Sequence, residues 1–153
     1  MDIKQLDWNE YHKYIDKLAD KIKKHITIED GDNVKILPDG TVDPLPYKYV
    51  AGLEPDDMFI AVHLSHKLGI PAVTDINVLS LLSDFTNNTQ QVLIVSNIVK
   101  TGNTFRNIMN QTGSEFDTAV LFKDKESKYK PTHYIEIPKS HIYFPWEECG
   151  IQL

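Results

Sequence analysis

The chain has 153 residues, with 16 Lys and Arg against 22 Asp and Glu, and its net charge of -6 denies it the general positive field that holds a nucleic-acid backbone. With 41% hydrophobic and 25% charged residues it has the makeup of one globular domain over 1–153, and disordered, fibrous and low-complexity readings are excluded. The one cysteine, Cys149, excludes an intrachain disulfide and a thiolate cluster, and no leader-like or membrane-length apolar run is present; the expectation is a cytoplasmic protein with no membrane and no nucleic-acid partner.

In chain order, Asp7 is placed as the N-cap of a helix over 8–24, with Tyr11, Ile15, Leu18, Ala19 and Ile22 on one face and Lys21, Lys23 and Lys24 near its C-terminal end. Pro38-Asp39-Gly40, between 34–37 and 41–42, predicts a hairpin. Residues 48–53 read as a buried strand, 58–68 as a helix stopped by Gly69, 71–75 as a short strand and 77–85 as a short helix. The run Val92-Leu93-Ile94-Val95, within a strand over 91–95, is apolar on both faces, as a central parallel strand covered on both sides must be. A loop follows, then a helix over 104–111 and strands over 119–122 and 134–137. Strands alternating with helices predict an α/β fold, a doubly wound, mostly parallel central sheet flanked by helices.

In such a sheet, ligands bind at the carboxyl ends of the strands, which draws attention to the loop after the central strand. It reads Val95-Ser96-Asn97-Ile98-Val99-Lys100-Thr101-Gly102-Asn103-Thr104. Hydroxyls, a conformationally free glycine and a helix N-terminus together offer several donors and about half a positive charge to an anion such as a terminal phosphate. The plainer reading of the same residues is a turn glycine with an N-cap at Thr101 or Thr104.

Other groupings have two readings as well. His63 and His66, three apart on a predicted helix, either share a metal or form an ordinary helix surface. Glu54, Asp56, Asp57 and Asp75 either gather at strand ends as oxygen ligands for Mg, or, for Asp56 and Asp57, favour a helix N-terminus. Residues 123–130 read as a solvated charged loop, and Trp146 as a packing anchor.

Taken together, the strand and loop at 92–104 resemble the phosphoribosyl-diphosphate (PRPP) loop of the type I phosphoribosyltransferases. Four further stretches resemble the purine, xanthine-guanine branch of that family in the same order. They are Asp7-Trp8 with its helix; Tyr49 to Gly69 with the Leu64-Ser65-His66-Lys67-Leu68-Gly69-Ile70-Pro71 ending; Ala119-Val120-Leu121-Phe122-Lys123; and Phe144-Pro145-Trp146-Glu147. The resemblance covers roughly two-thirds of the chain, each motif being weak alone.

The resemblance implies a type I phosphoribosyltransferase-like sheet with a small C-terminal base-site segment. It implies an enzyme that moves phosphoribose from PRPP, accompanied by Mg, to a 6-oxopurine, giving a nucleoside monophosphate and pyrophosphate. It assigns the 5-phosphate to Thr101, Gly102, Asn103 and Thr104. Where the family has two acids for the ribose hydroxyls, this chain has Ser96 and Asn97. Where the family has an aspartate near the base, it has Lys100, so no catalytic base is assigned. Pro55, Asp56 and Asp57 align with the pyrophosphate loop, and two carboxylates there repel phosphate by about 1 kcal/mol per close pair even in water. The segment 74–90 is short for the family's mobile hood. Base contacts fall to Lys123 or Lys125, His141 and Ile142. A homodimer or higher homo-oligomer is implied. A silent nucleotide or sugar-phosphate binder, or a partner subunit, is the alternative that the altered positions keep open.

Overall fold

The computed structural model describes residues 2–24, 35–43, 47–52, 54, 56–73, 92–99, 102–112, 116–137 and 140–147. The expected helix over 77–85 lies outside the described residues, as do Pro55, Asp75, Lys100, Thr101 and Cys149.

Helix α1 (Trp8–Lys23) starts where its cap predicts: the Asp7 carboxylate accepts the Glu10 N–H at 2.7 Å, and its buried face is Tyr11, Ile15, Leu18, Ala19 and Ile22. Helix α2 (Asp57–Leu68) buries Ile60, Ala61, Leu64 and Leu68 and ends at Gly69, whose φ of +69° belongs to a left-handed cap. It begins one residue before the expected Met58, because a turn in which the Asp57 N–H bonds the Glu54 carbonyl at 2.9 Å leads directly into it.

Strands β4 (Tyr49–Gly52), β5 (Ala72–Val73), β6 (Val92–Val99), β7 (Thr118–Asp124) and β8 (His133–Ile137) form a parallel sheet in the order β5-β4-β6-β7-β8. Alternation along the strands divides the core. Val50, Leu93, Val95, Ala119 and Leu121 pack with α1 and α2, whereas Ala51, Val92, Ile94 and Val120 pack with Phe105 of α3 (Asn103–Thr112) on the other face. Burying each large aliphatic side chain contributes roughly 1.5–3 kcal/mol, so both layers are needed to hold β6 at the centre.

The expected hairpin forms from β2 (Lys35–Ile36) and β3 (Val42–Asp43), paired antiparallel. Two elements were not visible in the pattern. β1 (Asp2–Gln5) pairs parallel with β9 (Ser140–Tyr143), so the ends of the described chain are joined. Gln5 Nε2 donates to the Phe144 carbonyl at 3.1 Å, which holds the Phe-Pro-Trp-Glu segment beside α1. The second correction bears on function: β6 does not stop at Val95 but runs to Val99. Ser96, Ile98 and Val99 are register partners of Val120, Phe122 and Lys123, so pairing with β7 continues past the end of the apolar run.

At the opposite edge, Tyr47 closes the bottom of the sheet. Its hydroxyl donates to Asp117 Oδ2 at 2.5 Å and lies 2.9 Å from His133 Nε2, joining the approaches to β4, β7 and β8.

Candidate functional site

The chain leaves β4 toward β5 on one side and returns through β6 on the other, so the order of the sheet reverses between β4 and β6. A cavity of about 280 Å³ lies there, at the carboxyl ends of both strands, as an open α/β sheet requires of its ligand crevice. Glu54, Asp56 and Asp57 line it from the β4–α2 connection; Ser96, Asn97, Ile98 and Val99 line it from β6; Gly102, Asn103, Thr104 and Phe105 line it from the start of α3.

The α3 end is the anion-attracting one. Gly102 sits just outside the helix with φ +77°, and its carbonyl accepts the Arg106 N–H at 3.1 Å, which makes it the residue from which the helix starts. Thr104 is therefore inside the first turn and is not the N-cap. Asn103 and Thr104 are exposed toward the cavity, and the first turn carries no acidic residue to cancel its dipole. Gly102 has a further reason to be glycine. A Cβ there would fall on Cβ and Cγ of Tyr129, whose ring stacks on Phe105 at 5.3 Å and lies under the Arg106 guanidinium. Tyr129 holds the loop from behind through its 3.2 Å bond with Thr118 Oγ1, and nothing in residues 123–130 as a sequence signals this.

The β4 end carries the opposite charge. Asp57, the first residue of α2, is only 4% exposed. Its Oδ1 accepts the Asn97 N–H at 3.1 Å and the Ser96 hydroxyl at 3.2 Å, and its Oδ2 accepts the Glu54 N–H at 3.1 Å. Burial raises its pKa to about 6, against the lowering effect of those three donors and with a smaller raising contribution from Glu54. Asp57 thus ties the β4–α2 connection to the polar stretch of β6, a link between distant segments that the sequence does not show.

The remaining expected residues are dispersed. Lys123 is buried, with Nζ donating to the Asp124 carbonyl at 3.2 Å, 3.9 Å from Glu136 and 5.6 Å from the Tyr134 ring centre; it is not part of the cavity lining. Lys125 lies in the turn after β7, its N–H on the Ile137 carbonyl at 3.0 Å. His141 and Ile142 are in β9, opposite Ile3 and Lys4, with Ile142 packed on the main core. Trp146 is a packing anchor, parallel to Phe59 at 4.4 Å and to Phe144 at 4.9 Å.

Among the described residues, no three His, Cys, Asp or Glu side chains are grouped to hold a metal ion; Asp75, the fourth member of the expected acidic group, lies outside the described residues. His63 Nδ1 lies 2.6 Å from the Tyr11 hydroxyl. Among the described residues, no helix is long and apolar enough to cross a membrane.

The strand order, with the crevice at the reversal point and the helix N-terminus on its rim, is the fold of the type I phosphoribosyltransferases. A purine phosphoribosyltransferase from Pyrococcus horikoshii superposes with a TM-score of 0.65 at 20% identity, covering 100% of this chain and 99% of that one. The xanthine-guanine-hypoxanthine phosphoribosyltransferase of Helicobacter pylori gives 0.63 at 15% identity, covering 95% of this chain and 93% of that one. A hypothetical protein from Neisseria gonorrhoeae, solved with ppGpp bound, gives 0.66 at 17% identity, covering 97% of this chain and 91% of that one. No protein-family model and no curated protein matches the sequence.

Proposed function

We propose that the cavity receives the 5-phosphate and ribose of a nucleotide-type small molecule, the binding step from which phosphoribosyl transfer proceeds. The observation that carries this reading is the polarity of the cavity: a helix N-terminus with Gly102, Asn103 and Thr104 at one end, and hydrogen-bonding groups of Ser96 and Asn97 on β6 at the other. The purine phosphoribosyltransferases with the same backbone course, and the similar protein that holds ppGpp, support a phosphorylated ligand of nucleotide type.

In the transferase form of this reading, the C1–O bond of PRPP to pyrophosphate breaks, a C1–N bond to a 6-oxopurine forms, and the proton of that purine nitrogen passes to solvent or to the departing pyrophosphate. The α3 terminus anchors the 5-phosphate and Ser96 and Asn97 orient the ribose hydroxyls, with the Asp57 carboxylate holding the Ser96 hydroxyl and the Asn97 N–H. Magnesium in such sites takes one or two carboxylates plus substrate oxygens, a role that the exposed Glu54 and Asp56 suit; when bound it neutralises the leaving pyrophosphate.

The second reading is binding without transfer, and one observation favours it: three carboxylates line the end of the cavity where a pyrophosphate would have to sit. Pyrophosphate release from PRPP with Mg, with guanine, xanthine, hypoxanthine, adenine, orotate and uracil offered separately, decides between the two. Base-dependent release establishes transfer, and silence with every base beside an active control leaves binding alone. Both require the cradle: Thr101→Ala with Thr104→Ala is expected to weaken ribose 5-phosphate binding by about tenfold or more, and unchanged affinity would overturn the reading.

A further inference from the structure

We propose that the carboxylate of Asp57 is a built-in anion, which fills a second anion position of the cavity and restricts the site to ligands that bring a single phosphoryl group, seated at α3. The inference rests on the phosphate-cradle reading above in its second form, binding without transfer, since PRPP brings a pyrophosphate as well as a 5-phosphate, and it adds to that reading the charge class of the ligand.

Three donors converge on this carboxylate from different parts of the chain: the Glu54 N–H after β4, the Asn97 N–H in β6 and the Ser96 hydroxyl. They meet at the first turn of α2, where the helix dipole adds to them. Backbone N–H groups and a hydroxyl gathered at a helix N-terminus are the equipment of a phosphate site, and here the protein's own side chain occupies it. Asp57 is 4% exposed and lines the same cavity as Asn103 and Thr104, so the two anion positions share one crevice.

The close seat of α2 is built in. At Gly52, a Cβ would meet the Asp57 carbonyl carbon and the Met58 sulfur at 3.1 Å and the Asp57 Cβ at 3.2 Å, so a larger residue would require the helix start to shift by a few tenths of an ångström. A second phosphoryl group brought to this end finds its donors taken and meets Asp57, with Glu54 and Asp56 on the rim. The α3 end carries no such internal anion in its first turn, which makes the cavity polar in one direction.

The test is calorimetric titration of the whole chain, in Mg-free buffer near neutral pH, with ribose 5-phosphate and inorganic pyrophosphate as separate probes. The wild type is expected to bind ribose 5-phosphate and to bind pyrophosphate about tenfold or more weakly. Asp57→Ala, which uncovers the three donors, is expected to gain about tenfold or more for pyrophosphate. Asp57→Asn keeps the shape without the charge and is expected to gain in the same direction by less; it carries the test if the alanine variant does not fold. Wild-type pyrophosphate binding as tight as that of ribose 5-phosphate, or no gain in either variant, overturns the proposal. Failure of ribose 5-phosphate to bind the wild type would count against the cradle, whereas the built-in anion stands or falls on the pyrophosphate arm.

Discussion

Gly102→Ala is the substitution for which the structure supplies the fullest arithmetic. Holding a non-glycine residue at φ +77° costs about 1–2 kcal/mol, and the new methyl group also overlaps Cβ and Cγ of Tyr129. Those atoms are near the backbone and cannot swing away. The ring beyond them is fixed between Phe105, stacked at 5.3 Å, and Thr118, bonded at 3.2 Å. Overpacking of this kind costs about 1–3 kcal/mol, for a total of about 2–5 kcal/mol against a typical domain stability of about 5–15 kcal/mol. Gly69 provides the control, because its φ of +69° carries the same backbone cost while a Cβ there meets nothing within 4 Å. Urea unfolding of both alanine variants measures the difference, expected to be about 1–3 kcal/mol in favour of Gly69→Ala. Equal costs would refute the claim that Tyr129 closes the loop before α3 from behind.

Two pH predictions follow from buried groups and have opposite signs. Asp57 is raised from an ordinary 3.8 to about 6, so its ionisation opposes folding: stability is greatest below 3.8 and declines as pH rises through about 6. The decline is about 3 kcal/mol at most, and Asp57→Asn should remove it. Unfolding free energies of both proteins at mildly acid and neutral pH check this, and a difference that does not change with pH would contradict it. His63 is lowered by burial, then by His12 and His66, and its Nδ1 faces the Tyr11 hydroxyl, whose pKa burial pushes up so that it stays a protonated donor. Acidification through 6.5 charges this ring in the unfolded chain first, so stability should fall there, and His63→Asn should lessen the fall; an unchanged acid limb would remove His63 as its source.

Much of the architecture was legible because it is written in local pattern. The buried face of α1, its Asp7 cap, the Gly69 stop of α2 and the doubly apolar Val92–Val95 run each declare an element without knowledge of its neighbours. β1 and β9 were not legible, because each is a four-residue strand whose partner lies at the other end of the chain. The length of β6 is illegible for a related reason: Ser96 and its neighbours look like loop residues until β7 lies beside them to pair with Ser96, Ile98 and Val99.

The candidate site divides in the same way. Residue order alone placed a glycine, hydroxyls and a helix start after a central strand, which determines that an anion-attracting helix terminus stands at the carboxyl end of the sheet. Packing decided the rest. It set Asp57 on Ser96 and Asn97 across 39 and 40 positions of sequence, laid Tyr129 against Gly102, and turned Lys123 to Glu136 and Tyr134, outside the cavity lining. Local patterns encode elements because capping and periodic burial act within a few residues. The charge and shape of the cavity arise from groups that meet only when α2, β6 and the segment before β8 close on one another, and no short stretch of the chain contains that information.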